Sequence, residues 1–459
     1  MFNNTHDCWT ATDSETSSYT SASSSTKPPN TQLFSRESKN FLSTQKNIKL
    51  SRFPSHFEHF WSRHKKQIPK KKSYCGFENL GNTCYISSAL QCLLATRLFS
   101  DYFYYEYYNT NKKLEKRYNS SSTLLKPLSL LIQRYRNTKG SSSINVSDLK
   151  RLIAKLNPMF DGHEQHDAQE FLAFLLDSLH ENLNQASKKE KRCFDCLPED
   201  PLVNRSFLKK HEYELLAALS WQKYLLRNRS FIVDLLQGQL ESRITCLRCH
   251  DFSLKFEPFL YLSLPIKSQH TPNSIQSLKD AFKAFCSPER LKDAQWHCPN
   301  CKHVVSVDKQ IRIIKLPTVL IIHLKRFEYD GYTSCKIQDY IHILTEGINF
   351  ETFICQKHCL FYDLYAVIDH SGEASSGHYT ASCLLDGHWL RFNDTLISVI
   401  QSNMVITSAT YVLFLVRRDV PKSPELLLKQ NMLTPENWPH SLSKKSIDYI
   451  KNKKTYNTL

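Results

Sequence analysis

The stretch from Cys75 to Thr96, CGFENLGNTCYISSALQCLLAT, joins a polar loop to an apolar run. Gly81 permits a tight turn, and Asn82 or Thr83 can cap a helix that starts there. Cys84 would then lie in the first helical turn, where unpaired N–H groups and the helix dipole stabilise a thiolate. The stretch therefore predicts a nucleophilic cysteine. The alternative is that Cys84 is a small buried residue, which is the usual state of a free cysteine.

A cysteine nucleophile needs a base, and a candidate lies much later in the chain, in SGEASSGHYTASCLLDGHWLRFNDT. His378 follows a Gly/Ser-rich turn there and opens a predicted strand. Trp389 to Phe392 can form the neighbouring strand, so antiparallel pairing would bring Asn393 beside His378. An amide at this place can accept the imidazole N–H and hold the other ring nitrogen toward the thiol. The rivals His370 and His388 do not lie between a loop and a strand, and we interpret both as structural or exposed.

Apolar periodicity divides the chain into a helical part and a strand-rich part. One helical stripe lies in the opening stretch, and a second covers Ala168 to Leu183. After about Ile232 the pattern changes to short runs such as PTVLIIHLKRF and ATYVLFLV, which predict strands. The predicted fold class is therefore α+β. The two stripes consist of Ile86, Ala89, Leu90, Leu93 and Leu94, and of Phe171, Leu172, Leu175, Leu176 and Leu179.

The composition indicates a large folded region with polar ends. The 459 residues are 41% hydrophobic, which is enough for a sizeable core. Residues 1–73 are predicted to be a disordered Ser/Thr/Lys-rich extension, and residues 419–459 a polar tail. The lysine run at 65–72 is either a nuclear-import or nucleic-acid patch or a solvated linker. No signal peptide or membrane-length apolar run is visible, so we expect a cytosolic or nuclear protein without membrane insertion.

The net charge of +16 is compatible with nucleic acid, an acidic membrane surface or an acidic protein as partner, and does not choose among them. The cysteines say more. Fifteen is an odd number, and without signs of secretion it favours metal or catalytic thiols over a disulfide framework.

Two C-x-x-C pairs have the spacing at which a pair of thiolates can hold tetrahedral zinc. They are Cys246 and Cys249, and Cys298 and Cys301. The interval between the pairs is longer than the spacer of about 15–20 residues in a minimal ribbon, so the spacing alone is moderately specific. A third pair, Cys193 and Cys196, lies without a partner pair in a charged segment. His250 and His297 adjoin the first two pairs and are interpreted as bystanders.

Taken together, these motifs resemble those of the ubiquitin-specific proteases. GFENLGNTCYISSALQCL is similar to the cysteine box of that family, and GHYTAS followed by HWLRFNDT is similar to its histidine box. GHEQHDAQEFLAFLLDSLHENL resembles the family's glutamine/aspartate helix, and LPTVLIIHLKRF its palm strand. The resemblance covers about 76–417 in the right order, which is far more specific than a single motif. Ser87 and Ser376 replace the commoner Asn and Gly, and both replacements are small.

The resemblance implies a catalytic role for four of the matching residues. Cys84 would be the nucleophile, His378 the general base and Asn393 the third member, with Asp394 as an additional helper. The reaction would be hydrolysis of the bond after the C-terminal glycine of ubiquitin, through a thioester on Cys84.

The resemblance implies one further catalytic residue and two substrate-binding residues. Asn79 matches the catalytic residue whose side-chain amide contributes to the oxyanion hole. Asn82 is the alternative for that role, and we interpret it as a turn or cap residue. Gln165 and Asp167 match substrate-binding positions. The carboxylate of Asp167 would meet arginines of the ubiquitin tail.

The resemblance also implies an architecture and partners. A papain-like catalytic domain at 74–418 would consist of a helical thumb at about 76–230, zinc-binding β fingers at about 231–312 and a β palm at about 313–418. One structural zinc would be held by the four cysteines, and no catalytic cofactor is expected. Ubiquitin and ubiquitinated proteins would be the partners, and a regulatory protein partner is left open.

Two other classes of function compete with this interpretation. A non-catalytic ubiquitin-binding scaffold is disfavoured because nucleophile, base, orienting residue and oxyanion donor are all present. A zinc-ribbon nucleic-acid protein is disfavoured because the basic residues are not interleaved with aromatic residues on one module. Nucleic acid is therefore expected as a partner only through the basic N-terminal extension.

Overall fold

The computed structural model describes residues 74–109, 124–138, 143–186, 210–267, 274–329, 334–355, 360–373 and 376–419. The predicted N-terminal extension at 1–73, the Cys193 and Cys196 pair and the predicted tail beyond residue 419 lie outside the described residues. In the described part of the chain, no helix combines the length and apolar character needed to cross a membrane.

The described part contains helices in its first half and mainly strands in its second, so the predicted α+β class is confirmed. The helices are α1 (Cys84–Ala95), α2 (Arg97–Asn109), α3 (Leu125–Asn137), α4 (Ser147–Leu156), α5 (Ala168–Leu183), α6 (Lys210–Leu225), α7 (Phe231–Leu236) and α8 (Leu278–Cys286). The strands are β1 (Gly238–Cys246), β2 (Phe252–Phe259), β3 (Leu262–Pro265), β4 (Glu289–His297), β5 (Val304–Lys315), β6 (Val319–Lys325), β7 (Phe327–Tyr329), β8 (Ser334–Lys336), β9 (Ile348–Asn349), β10 (Phe361–Gly372), β11 (Gly377–Leu385), β12 (His388–Asn393), β13 (Leu396–Ile400) and β14 (Thr410–Arg417).

Helix α1 is buried around its whole circumference, whereas its sequence predicted one apolar face. Every residue from Cys84 to Leu94 is buried, because α1 packs against α2 and α5 and also against β10 and β11. Its polar residues find partners inside the protein: Gln91 donates to the Cys75 carbonyl at 3.0 Å and accepts from the Tyr135 hydroxyl at 3.2 Å. Helix α1 therefore joins the helical part to the large sheet.

Helix α5 has the bounds that the sequence predicted, from Ala168 to Leu183. The residues of its predicted apolar stripe are all buried. Asp167 is its N-cap, and its side chain accepts from the backbone N–H groups of Gln169 and Glu170.

Strands β2, β1, β5 and β4, in that order, form a four-stranded antiparallel sheet. A larger eight-stranded sheet has the order β13, β12, β11, β10, β14, β6 and β3, with β9 added on β10. Strands β7 and β8 form a separate two-stranded sheet.

Two elements of the range predicted as fingers lie with the large sheet. Strand β3 falls within the predicted fingers at 231–312, but it pairs in parallel with β6 and so belongs to the large sheet. Helix α8 also falls within that range, and its Leu278 and Phe282 pack into the core of the large sheet. The reason is that the pairing of Leu262 with Ile322 joins distant segments, which the pattern of a single strand does not reveal.

Candidate active site

Cys84 is the first residue of α1 and is only 3% exposed. Thr83 occupies the N-cap position, but its side chain makes no capping hydrogen bond, contrary to the prediction. Its hydroxyl accepts from the backbone N–H of Leu80 at 2.9 Å instead. The side chain of Asn82 does not cap the helix either, since it donates to the His163 carbonyl at 2.8 Å. Neither side chain therefore caps the start of α1, where the backbone at Cys84 and Tyr85 forms hydrogen bonds with the thiol.

The electrostatic surroundings keep the Cys84 thiol protonated. Burial raises its pKa most, and the carboxylate of Asp394 raises it further, while backbone hydrogen bonds at Tyr379, Tyr85 and Cys84 lower it. The start of the helix thus lowers the pKa as predicted, but burial outweighs this effect, so a base has to take the proton. Tyr379 directly follows His378, so this contact places the thiol beside the strand that carries the predicted base.

His378 and Asn393 are brought together as the sequence predicted. Strands β11 and β12 pair antiparallel, and His378 Nε2 lies 2.6 Å from Asn393 Oδ1. Because the amide oxygen can only accept, the proton of the imidazole lies on Nε2 and leaves Nδ1 free to accept another proton. The rivals differ from one another, since His370 is buried and His388 is exposed.

Asn79 lies beside the nucleophile loop and is held by hydrogen bonds at both ends of its amide. Its Oδ1 accepts from the backbone N–H groups of Gly81 at 3.0 Å and Thr83 at 3.2 Å. Its Nδ2 donates to Asp394 Oδ2 at 2.9 Å. These contacts fix the orientation of the amide, with Oδ1 toward the backbone of the loop and Nδ2 toward Asp394.

Asp394 directly follows β12 and has a left-handed backbone conformation, with φ of 52°. Its carbonyl accepts from Phe77 N at 3.0 Å, and a Cβ at Gly76 would lie 2.2 Å from the same oxygen. Only glycine fits at position 76 without moving this turn. Among the described residues, Asp394 Oδ1 is buried and has no hydrogen-bond partner. The turn therefore brings a carboxylate close to both Asn79 and Cys84.

Gln165 and Asp167, predicted as substrate-binding residues, both make contacts within the protein. Gln165 Oε1 accepts from Gly377 N at 2.8 Å, and its Nε2 lies 3.5 Å from Asn82 Oδ1. Gln165 thus links the cysteine loop to the strand of His378. Besides capping α5, Asp167 accepts a short hydrogen bond from the Tyr411 hydroxyl.

Sequence reasoning missed the capping role of Asp167 and its contact with Tyr411. The capping role had a signal: an Asp followed three residues later by Glu170, just before an apolar run, is typical of a helix start. The Tyr411 contact had none, because it joins residues that are far apart in the chain.

The four predicted metal ligands come together at one end of the four-stranded sheet. The sulfur atoms of Cys246, Cys249, Cys298 and Cys301 all lie within 4.8 Å of one another. Two of these separations are 3.9 Å, from Cys246 to Cys301, and 3.6 Å, from Cys249 to Cys298. This group of four could hold a metal ion. Neither His250 nor His297 belongs to it.

The two cysteine pairs have the same local structure. In each pair the second cysteine donates its backbone N–H to the sulfur of the first at 3.5 Å. The next residue, His250 or Lys302, donates to the carbonyl of the first cysteine and has a φ of 57°. Two copies of one turn therefore present their sulfur atoms to a common centre.

A family model described as ubiquitin carboxyl-terminal hydrolase matches residues 75–415. Human ubiquitin carboxyl-terminal hydrolase 2 is 34% identical over 347 residues, which cover 74% of this chain and 54% of that protein. Ubiquitin carboxyl-terminal hydrolase 4 of Saccharomyces cerevisiae is 34% identical over 367 residues, which cover 74% and 39%. The chain thus spans about half the length, or less, of these curated relatives.

Two solved structures of the SAGA DUB module that contains Ubp8 are also similar. The module bound to monoubiquitin matches with a TM-score of 0.60 and 25% identity, over 79% of this chain and 74% of that chain. The module bound to ubiquitin aldehyde matches with a TM-score of 0.58 and 26% identity over the same shares.

Proposed function

The chain belongs to the ubiquitin carboxyl-terminal hydrolase family, and from this we propose that it is a cysteine isopeptidase that removes ubiquitin from protein conjugates. The likeness to the solved structures confirms the predicted papain-like α+β fold of the ubiquitin-specific proteases. The observation that carries the proposal is the hydrogen bond between His378 and Asn393, with the Cys84 thiol beside the same strand.

In the proposed first half-reaction, His378 Nδ1 takes the proton of Cys84 as the sulfur attacks the carbonyl carbon of the last ubiquitin glycine. Asn393 holds the imidazole through Nε2, so the ring need not reorient. The bond to the leaving amine breaks as His378 returns the proton to its nitrogen, and ubiquitin stays on Cys84 as a thioester. A protonated resting thiol fits this role of His378 as a general base.

In the second half-reaction, His378 takes a proton from water, and the resulting hydroxide attacks the thioester carbonyl. The C–S bond breaks, the proton passes to the Cys84 sulfur, and ubiquitin leaves with a free carboxylate. In both halves the tetrahedral oxyanion would accept hydrogen bonds from Asn79 Nδ2 and the backbone N–H of Cys84. The contact between Asn79 and Asp394 supports this role because it orients Nδ2, which carries a second N–H donor.

Replacing Asn79 with Asp tests the oxyanion donor. This change keeps the oxygen that accepts from Gly81 and Thr83, but it removes the N–H donor and places a carboxylate against Asp394. We expect kcat to fall by about 100-fold or more, the loss typical of one oxyanion donor. Steady-state hydrolysis of ubiquitin amidated with aminomethylcoumarin measures it.

The matched variant is Asn82→Gly, which suits the positive φ of 52° at that position and removes the side-chain contacts with His163 and Gln165. It should retain kcat within about threefold, because this side chain is proposed as a turn residue. A large loss of kcat with Asn82→Gly and a small loss with Asn79→Asp would contradict the proposal. Asn82 would then be the oxyanion donor and Asn79 the turn residue.

We also propose one structural zinc ion, held by the four cysteines of the small sheet. A tetrahedral centre with Zn–S bonds of about 2.3 Å places sulfur atoms about 3.8 Å apart. The separations of 3.6 and 3.9 Å agree with this value, and four thiolates form a closed site without a position for water. Bound zinc would cross-link the two turns and take no part in the hydrolysis.

The proposed partners are ubiquitin and ubiquitinated proteins. The similar solved structures are described as bound to ubiquitin or its aldehyde and as complexes with other subunits. These descriptions support ubiquitin as the substrate of this chain. On the same ground we propose that this chain has a regulatory protein partner. A cytosolic or nuclear location rests on the sequence alone.

The experiment that tests the activity compares the same fluorogenic amide on ubiquitin and on a small ubiquitin-like modifier, with the full 459-residue chain. We expect turnover of the ubiquitin substrate and at least about 100-fold lower kcat/KM with the other modifier. If only the other modifier were turned over, that modifier and not ubiquitin would be the substrate. Binding of ubiquitin without any turnover would favour the scaffold interpretation.

A further inference from the structure

Lys336 is a buried lysine whose ammonium group binds the strand opposite His378. It ends β8 and is 9% exposed. Its Nζ lies 3.0 Å from His370 Nδ1, 2.6 Å from the His370 carbonyl and 3.0 Å from the Gly372 carbonyl. An ammonium group has three N–H donors, so these three acceptors use all of them. Lys336 thus holds two backbone carbonyls and one ring at the end of β10.

The position of Lys336 is itself held from the core. The residue after it, Ile337, exchanges two hydrogen bonds with Arg326: Ile337 N donates to the Arg326 carbonyl at 2.7 Å, and Arg326 Nη1 donates to the Ile337 carbonyl at 2.9 Å. Arg326 is fully buried and also donates to the Thr410 carbonyl on β14. The backbone next to Lys336 is therefore held in place by hydrogen bonds to a buried residue.

The His370 ring lies directly against the start of the strand that carries His378. A Cβ at Gly377 would lie 2.1 Å from His370 Nε2, so the ring occupies the space that a side chain at 377 would need. The ring centroid is also 4.5 Å from that of Tyr379. Burial and the Lys336 ammonium lower the pKa of His370 to about 4, so the ring is neutral and Nδ1 accepts from Lys336.

Strand register connects these contacts to His378. Ser371 pairs with His378, and Gly372 pairs with Gly377. The backbone N–H of Gly377 donates to Gln165. The backbone that positions His378 is thus held by Gln165 at its N–H, by the His370 ring against Gly377, and by Lys336 through the facing strand.

From this arrangement we propose that Lys336 and His370 act as a pair that positions His378 for proton transfer with Cys84. The inference rests on the proposed function. Neither residue would touch the substrate or the reacting atoms. The physical reason is that proton transfer requires close placement of donor and acceptor, and a displacement of about 1 Å can cost about 100-fold in rate. A variant should therefore lose kcat while ubiquitin binding is retained.

The test uses Lys336→Met in the full chain, with ubiquitin aminomethylcoumarin as substrate. Methionine keeps much of the side-chain volume and removes all three donors. We expect kcat to fall at least about tenfold while KM changes by less than about threefold. The matched control is Lys315→Met, which removes a half-buried lysine that lies near Asp234 and over the Trp221 ring. It should lower stability but keep kcat within about twofold of the wild type.

A double-mutant cycle distinguishes positioning from a general loss of stability. His370→Phe keeps a ring against Gly377 and removes the acceptor of Lys336. If the two residues act as a unit, the double variant should have a kcat within about twofold of the worse single variant. Lys336→Met combined with Lys315→Met should show only the Lys336→Met loss of kcat. The double variant Lys336→Met with His370→Phe removes the donor and its ring acceptor together. It is therefore informative if a single variant fails to fold.

Three outcomes would overturn the proposal. The first is a folded Lys336→Met variant, or a folded His370→Phe variant, with wild-type kcat. The second is an equal loss of kcat in Lys336→Met and Lys315→Met that follows their melting temperatures. The third is additive losses in the cycle. Failure of the proposed function looks different, since the wild-type chain would then show no turnover, and the inference would fall with it.

Discussion

Cys84→Ala is expected to lower kcat for hydrolysis of the bond after the C-terminal glycine of ubiquitin by about 10⁴-fold or more, the loss seen when a catalytic nucleophile is removed. The side chain is 3% exposed and alanine fits in its place, so the variant should fold. With no thiol beside the strand of His378, the thioester cannot form. Intact-mass analysis after incubation with ubiquitin that carries an electrophile at its C-terminus measures the same step directly. The wild-type chain should gain the mass of one ubiquitin, and Cys84→Ala none.

The matched control for this experiment is Cys92→Ala. Cys92 lies in the same helix and is also buried, but its sulfur faces the Val367 carbonyl at 3.7 Å. This variant should keep the adduct. An adduct that persists in Cys84→Ala would assign the reaction to a different thiol. A folded wild-type chain without any adduct would point to a scaffold, to an enzyme activated by a partner, or to a different modifier.

Loss of the proposed zinc site should have the largest effect on stability. We expect the purified wild-type chain to contain about one zinc ion and the double variant Cys298→Ser with Cys301→Ser to contain almost none. The melting temperature should fall by at least about 5 °C, since binding to a structural zinc site adds directly to the free energy of folding. The physical reason is that a bound ion would cross-link the sulfur atoms of both turns, beyond the backbone pairing of β1 with β5. Elemental analysis and thermal unfolding measure the two effects.

Cys335→Ser is the control for these cysteine changes, because Cys335 is exposed and lies outside the group of four. It should keep both the zinc content and the melting temperature. A chain that is purified without zinc, and whose melting temperature does not respond to a chelator, would refute the proposed metal site. Retention of zinc in the double variant would assign it to other ligands.

Some features could be predicted because they depend on neighbours in the chain. The bounds of α5 follow from an apolar stripe that repeats with the period of a helix, preceded by a capping aspartate. The two cysteine pairs follow from a spacing that a single tight turn enforces. The approach of Asn393 to His378 is also nearly local, because it requires only that two consecutive strands form a hairpin.

Other features could not be predicted, because they depend on contacts between distant segments. The protonated state of Cys84 results from burial against the large sheet and from a carboxylate that comes from the far end of the domain. The parallel pairing of β3 with β6 likewise joins separate regions. Gln165 was expected to contact substrate, and its hydrogen bond with Gly377 depends on how the helical part meets the sheet.

The sequence by itself determined the family, the α+β class, the candidate nucleophile and base, and the four cysteines of the proposed metal site. Each is expressed in a short motif, or in a spacing that the covalent geometry of the chain carries through to the structure. Only the tertiary structure decided which groups surround these residues: Asp394 beside Asn79, Gln165 at Gly377, and Lys336 with His370 behind His378. Hydrogen bonds and pKa values depend on distances between atoms, and burial removes the water that would otherwise screen them.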